Sequence, residues 1–210
     1  MAAIAIPHLH FKRDIYGNLM DKQKVIEYLQ LAIAELQKTD VADTDIQIAW
    51  GAKVSPVFKD RILWTANEIE VDPNYLMACI AFESAETFSA SIKNAAGSGA
   101  TGLIQFMPKT AKDLGTSVTA LAKMTPEDQI KYVYRYFLPY KGRLKTLEDV
   151  YMAILWPRAI GKPATFPLFT GGVAYRQNAG LDTNKDGIVT KYEAAKKVRE
   201  KFERGMNFRG

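Results

Sequence analysis

A carboxylate closes an otherwise apolar stripe near the middle of the chain. Leu76, Cys79, Ile80 and Glu83 fall at helical spacing after Asp72-Pro73, an N-cap followed by a first-turn proline. Burial disfavours the charged form of a carboxylate, and a carboxyl group held protonated near neutral pH can serve as a general acid. Helix position alone leaves two other readings open: the side chain frays into solvent, or it is paired inside the core. Gln105 is in a similar setting, as the one amide in Gly102-Leu-Ile-Gln-Phe-Met-Pro108. Between the two lies a small, polar stretch whose glycines, Gly97, Gly99 and Gly102, permit tight turns and close approach to a ligand. A carboxylate and an amide facing one cleft would make a site.

A second constellation contains only oxygen donors. Asp182, Asn184, Asp186 and Glu193 stand at positions one, three, five and twelve of an EF-hand loop, residues 182–193. Gly187 would supply the sharp turn, Ile188 its carbonyl, and Thr190 a contact through water. Thr190 and Glu193 also spell a capping box for the last helix, and the two readings are compatible. Gly171-Gly172 and Gly180 argue against a long entering helix, and no second loop is present to pair with. The expectation is one structural Ca²⁺ held by Asp182, Asn184, Asp186, Ile188 and Glu193, with a metal-free Asx-type turn as the alternative. No organic cofactor is expected.

The elements that must position these groups are helical. Val54–Val71 holds one helix, with Val57, Ile62, Leu63, Ala66 and Ile69 apolar, and leads into the Asp72 cap. Pro108 and Gly115 bracket a short helix, Thr125-Pro126 opens a tyrosine-rich one, and Thr146 opens another that Pro157 limits. In the last helix Ala195, Val198 and Phe202 form an inward stripe. Asp21–Thr39 reads as a further helix, with Val25, Leu29, Ile33 and Leu36 along one side, expected to pack on the main body. A polar turn at 40–45 is a plausible linker. The expected division is 1–50, an N-terminal helical segment with linker, and 51–210, the main domain. No stretch alternates with period two for long, so the fold class is all-α.

Composition excludes several classes. At 210 residues, 48% hydrophobic and 24% charged, the chain suits one globular domain with a core. No run of about 18 apolar residues marks a membrane span, and the first residues lack the layout of a secretory signal. One cysteine, Cys79, excludes an intramolecular disulfide and reads as core filler, and His8 and His10 are too few for a zinc site. The net charge is +5 and uneven: Lys191–Gly210 holds seven Lys/Arg and three Glu. A basic end suits an anionic surface such as an outer membrane, or is simply a solvated face. Nothing else points to nucleic acid.

The order Glu83-Ser84, Phe88, a small polar loop, Gly102-Leu103-Ile104-Gln105-Phe106-Met107-Pro108, then Thr110-Ala111 and Leu114-Gly115 resembles the soluble lytic transglycosylases and the goose-type lysozyme-related endolysins of phages. The resemblance covers roughly a fifth of the chain. It implies a lysozyme-like fold, a monomer, and cleavage of the β-1,4 bond between N-acetylmuramic acid and N-acetylglucosamine in peptidoglycan glycan strands. Glu83 would be the catalytic acid. Ser84 and Gln105 would orient Glu83 and the N-acetyl group, and Phe106, Met107 and tyrosines would line the groove. Where the larger family carries Ala-Tyr-Asn-Ala-Gly, this chain has Leu155-Trp156-Pro157-Arg158-Ala159, followed by Gly161-Lys162-Pro163, as in certain phage endolysins. The supporting hydroxyl must then come from elsewhere: Tyr175 first, then Tyr134 and Tyr151. Transglycosylation needs one carboxylate; hydrolysis by a muramidase needs a second group, for which Glu86 is nearest, although Glu86 itself reads as a solvated side chain. A non-catalytic wall-binding module is the alternative from another class. The expected location is the host cytoplasm and then the periplasm through a holin, or the virion.

Overall fold

A computed structural model describes residues 46–210, together with Ile26, Glu27, Leu29, Gln30 and Leu31. Those five are helical and exposed; the rest of the expected 21–39 helix, and its apolar stripe apart from Leu29, lies outside the described residues. Residues 46–210 form one compact unit. The expected division at 50/51 falls inside its packing, because Ile48, Ala49 and Trp50 are buried in the core.

The unit begins with α1 (Pro56–Ile69), capped by Ser55, whose side chain accepts from Phe58 N–H. Glu70 ends it in the left-handed region and Asp72 caps α2 (Pro73–Glu83), accepting from Asn74 N–H at 2.8 Å. Short helices α3 (Pro108–Asp113) and α4 (Val118–Leu121) precede α5 (Pro126–Phe137) and α6 (Leu147–Leu155). Thr125 and Thr146 cap the last two through Asp128 N–H and Asp149 N–H. Then come β1 (Pro167–Thr170), α7 (Gly172–Asn178), β2 (Ile188–Thr190), α8 (Lys191–Ala194) and α9 (Lys196–Gly205).

The unit is mainly helical, and the proline and Ser/Thr/Asp signals place the helix starts where the sequence puts them. Two elements differ from the sequence reading. Strands β1 and β2 pair antiparallel, with an irregular register between Pro167 and Phe169; at four and three residues they are too short to show alternation. Val57 is exposed rather than apolar-facing, since α1 buries Phe58, Ile62, Thr65, Ala66 and Ile69 instead.

Helix α2 is the centre of the molecule. It is expected to bury one face, yet all six residues from Leu76 to Ala81 are inaccessible to solvent. The reason is that α1, α6 and α9 pack around it, and a helix apolar on all sides is stable only when so enclosed. The inward stripe of α9 is as expected: Ala195 and Val198 are buried, and Phe202 meets Tyr75 edge-on at 5.8 Å. Helix α9 also reaches Trp50, whose indole N–H donates to Lys201 O at 2.9 Å. A Cβ at Gly205 would meet Trp50 Nε1 at 2.3 Å, so only glycine lets the two approach.

Candidate active site

Glu83 is the last residue of α2, on the rim of the core. Burial pushes its carboxyl up to about 7. The negative end of the helix dipole acts in the same direction. Two phenols lie within electrostatic reach. Tyr151 on α6 is buried, with its ring edge-on to Phe82 at 5.5 Å. Its hydroxyl is held protonated first by burial, then by Glu83 and Cys79. Tyr136 on α5 donates to Ala153 O at 2.8 Å and is likewise held protonated by burial, Tyr140 and Glu83. Cys79 sits in the core as expected, its thiol raised by burial and then by Glu83.

The turn that follows fixes the end of α2. Ala85, Glu86 and Phe88 all adopt positive φ (50°, 64° and 50°), a conformation that costs a non-glycine residue about 1–3 kcal/mol and needs outside support. Ser84 supplies part of it: it is wholly buried, its Oγ accepts from Phe88 N–H at 3.1 Å, and its carbonyl accepts from Thr87 Oγ1 at 2.6 Å. Glu86 N–H donates back to Ala81 O at 2.7 Å. The Glu86 carboxylate is clamped by Lys201 at 2.5 Å and Arg204 at 3.2 Å, both on α9. The Phe88 ring packs against Trp50 and Phe58. Ser84 therefore acts on the turn from inside the protein rather than on a ligand.

The Gly102–Pro108 segment forms a small hairpin in which Thr101 and Phe106 exchange backbone hydrogen bonds. Gln129, absent from the sequence reading, holds it. Its side chain is fully buried, accepts from Leu103 N–H at 2.7 Å and donates to Ala90 O and Leu121 O. A Cβ on Gly102 would collide with Gln129 Oε1 at 2.3 Å. The available signal was an amide beside Ile130 and Val133 on the buried side of α5. Gln105 has φ 52° and its Nε2 donates to Gly102 O at 3.1 Å and Ile92 O at 3.4 Å. Phe106 is buried and meets Tyr136 edge-on at 6.2 Å, so it backs that tyrosine instead of lining a groove. Met107 is exposed.

The other two tyrosines go elsewhere. Tyr134 pairs with Trp64 of α1 at 4.9 Å. Tyr175 donates to Asp182 Oδ2 at 2.7 Å, which commits its hydroxyl to the 182–193 loop. Tyr151, third in the sequence ordering, and Tyr136, not considered there, are the phenols whose hydroxyls feel the charge of Glu83.

The 182–193 loop turns through Gly187 (φ 86°) and Lys185 (φ 61°). Asp182 accepts from Lys185 N–H and Gly187 N–H, and Asp186 from Ile188 N–H. Glu193 completes a capping box with Thr190 through one carboxylate oxygen and accepts from Thr183 N–H and Asn184 N–H through the other. Among the described residues, no three His, Cys, Asp or Glu side chains converge to hold a metal ion.

Residues 62–154 match the family model described as Transglycosylase SLT domain. No curated protein and no solved structure matches the chain. The matched span runs from α1 into α6 and so contains Glu83, the 84–88 turn, the Gly102–Pro108 hairpin and both phenols, but not Tyr175 or the 182–193 loop. Members of that family are lytic transglycosylases acting on peptidoglycan, and the protein is an enzyme that acts on that polymer.

Proposed function

We propose that the protein is a phage endolysin or virion-associated lysin that cuts the β-1,4 bond between N-acetylmuramic acid and N-acetylglucosamine by transglycosylation. Glu83 in its acid form gives its proton to the glycosidic oxygen as the C1–O bond breaks. The resulting carboxylate then takes the proton of the muramoyl 6-hydroxyl as that oxygen bonds to C1, leaving a 1,6-anhydro end and the acid restored. The observation that carries this choice is the fate of Glu86. The nearest second carboxylate is clamped by Lys201 and Arg204 and serves the turn, which leaves Glu83 as the acid and base. A one-carboxylate route suits such a site; a muramidase needs a second group to act as nucleophile or to activate water. Tyr151 would orient Glu83, and Gln105 and Met107 would meet the sugar. The phage assignment is supported by the Leu155–Pro163 departure from the larger family's pattern.

Digestion of Gram-negative peptidoglycan by the protein and by Glu83→Gln, with the released muropeptides weighed by mass spectrometry, tests this. Anhydro-muramoyl ends, lost by orders of magnitude in Glu83→Gln, are expected. Reducing ends would make the enzyme a muramidase.

We also propose that the 182–193 loop takes one Ca²⁺. Its donors are all oxygen, as a hard cation requires, and Gly187 already makes the turn. Glu193 would have to exchange its bonds to Thr183 and Asn184 for the cation.

A further inference from the structure

Away from Glu83, α1 and α5 enclose a groove of about 780 Å³, within the range of ligand-binding clefts. An indole that is 54% exposed, Trp64, stands on one wall, tilted against the Tyr134 ring at 4.9 Å. Around them stand cations: Lys131, Arg135, whose guanidinium lies 5.5 Å from the Tyr132 ring centre, and Arg61, paired with Asp128 at 2.9 Å. Three cations against one carboxylate leave the rim positive. Thr65 lies in the floor, and its hydroxyl is a buried side-chain oxygen without a hydrogen-bond partner.

The groove is not the Glu83 cleft seen from another side. Tyr134 and Tyr136 stand two residues apart on α5, so they project about 200° apart. Tyr136 is the one that feels Glu83, and Tyr134 belongs to the groove. Neither Glu83, Gln105 nor Met107 lines it.

We propose that this groove is a second binding site for peptidoglycan, separate from the site of cleavage, that holds a glycan segment carrying its acidic peptide. This rests on peptidoglycan being the polymer attacked. The aromatic faces of Trp64 and Tyr134 offer a flat apolar surface for the C–H face of a pyranose. Arg61 and Arg135 are planar forks that bond hydroxyls and carboxylates in pairs, and the positive rim complements the carboxylates of the stem peptide. An insoluble substrate gives such a site a use. It keeps the enzyme on the wall after each cut, raising the local concentration of strand without touching the reacting bond.

The test uses the full-length chain with Glu83→Gln, so that bound wall is not digested. Co-sedimentation with purified Gram-negative sacculi is measured for that variant, for Glu83→Gln/Trp64→Ala, and for Glu83→Gln/Lys131→Glu/Arg135→Glu, whose changes are on exposed side chains. Both are expected to bind about tenfold more weakly, as loss of an aromatic or arginine anchor does. Radical footprinting should show Trp64 oxidised in the free protein and protected with sacculi. Parental binding in both variants overturns the second site while leaving wall cleavage standing. So does a Trp64 protected without sacculi, since the chain itself would then cover the groove. A parent that does not sediment, together with a wild type that releases no muropeptides, overturns the peptidoglycan reading and this proposal with it.

Discussion

In its proposed role Glu83 joins two demands that oppose each other in most side chains: it lies in apolar surroundings and would still exchange a proton. Its raised carboxyl has consequences for both activity and folding. In the proposed role of initiating acid it must be protonated, so kcat/KM on sacculi should fall as pH rises through about 7. The folding term has the same sign. The acid form is favoured in the folded state, so no penalty exists below the ordinary glutamate value near 4.5; it grows between there and 7 and is constant above. Glu83→Gln should thus melt at the wild-type temperature at pH 4 and above it at pH 8, by a gain of at most about 3 kcal/mol, reduced by whatever solvent the carboxyl keeps. Equal differences at the two pH values would mean that Glu83 ionises freely. Sequence spacing made Glu83 a candidate, because an acid on an apolar stripe is visible in one dimension, but it was the resemblance of the Glu83–Gly115 stretch that singled it out. Tyr136 was not visible as its neighbour and Tyr151 stood only third among the candidates, because nothing in their local sequence says which tyrosine of several lies near it.

At the scale of elements, the 84–88 turn and the last helix depend on each other. Of the three non-glycine residues at positive φ, Glu86 is held by bonds that come from α9, from Lys201 115 residues away along the chain and from Arg204. Glu86→Gln keeps the shape and removes the charge that Lys201 and Arg204 hold. Such partly exposed pairs are worth little in stability, so a loss of about 1 kcal/mol or less is expected. The larger effect should be on kcat, reduced several-fold as the turn relaxes, with the released ends still anhydro. A loss as deep as that of Glu83→Gln would instead make Glu86 a reacting group. The helix starts were legible, since Asp72-Pro73, Thr125-Pro126 and Thr146 each carry their own cap. The pairing of β1 with β2 was not, because their partnership spans the loop between them and neither strand is long enough to declare itself.

Across the whole molecule, one buried ion pair ties the 182–193 loop to the transglycosylase region. Lys191, at the loop's exit, bonds Asp149 of α6 at 2.6 Å and Lys162 O at 2.9 Å. Burial raises the Asp149 carboxyl, but Lys191 and the Gly161 N–H outweigh it and hold it below the usual range. Lys191→Met strands that carboxylate, so stability at pH 7 should fall by about 3–5 kcal/mol in chemical denaturation; a change under 1 kcal/mol would mean water reaches the pair. Calcium should raise the melting temperature relative to chelator by mass action on the folded state, and identical melting would remove the metal from the loop. The basic end is less available to an outside surface than its count suggests: Lys191, Arg199, Lys201 and Arg204 face Asp149, Glu148 and Glu86 within the fold. By itself the sequence determined the helical class, the caps, the place of Glu83 at the end of an apolar stripe and the oxygen-donor order of the loop, because each is written in neighbouring residues through helical spacing and local hydrogen bonding. Only the tertiary structure decided that α2 is enclosed on all sides, that Ser84 and Phe106 point inward, that Tyr175 serves Asp182, and that Glu86 is clamped, because each depends on which distant helix arrives to fill the space.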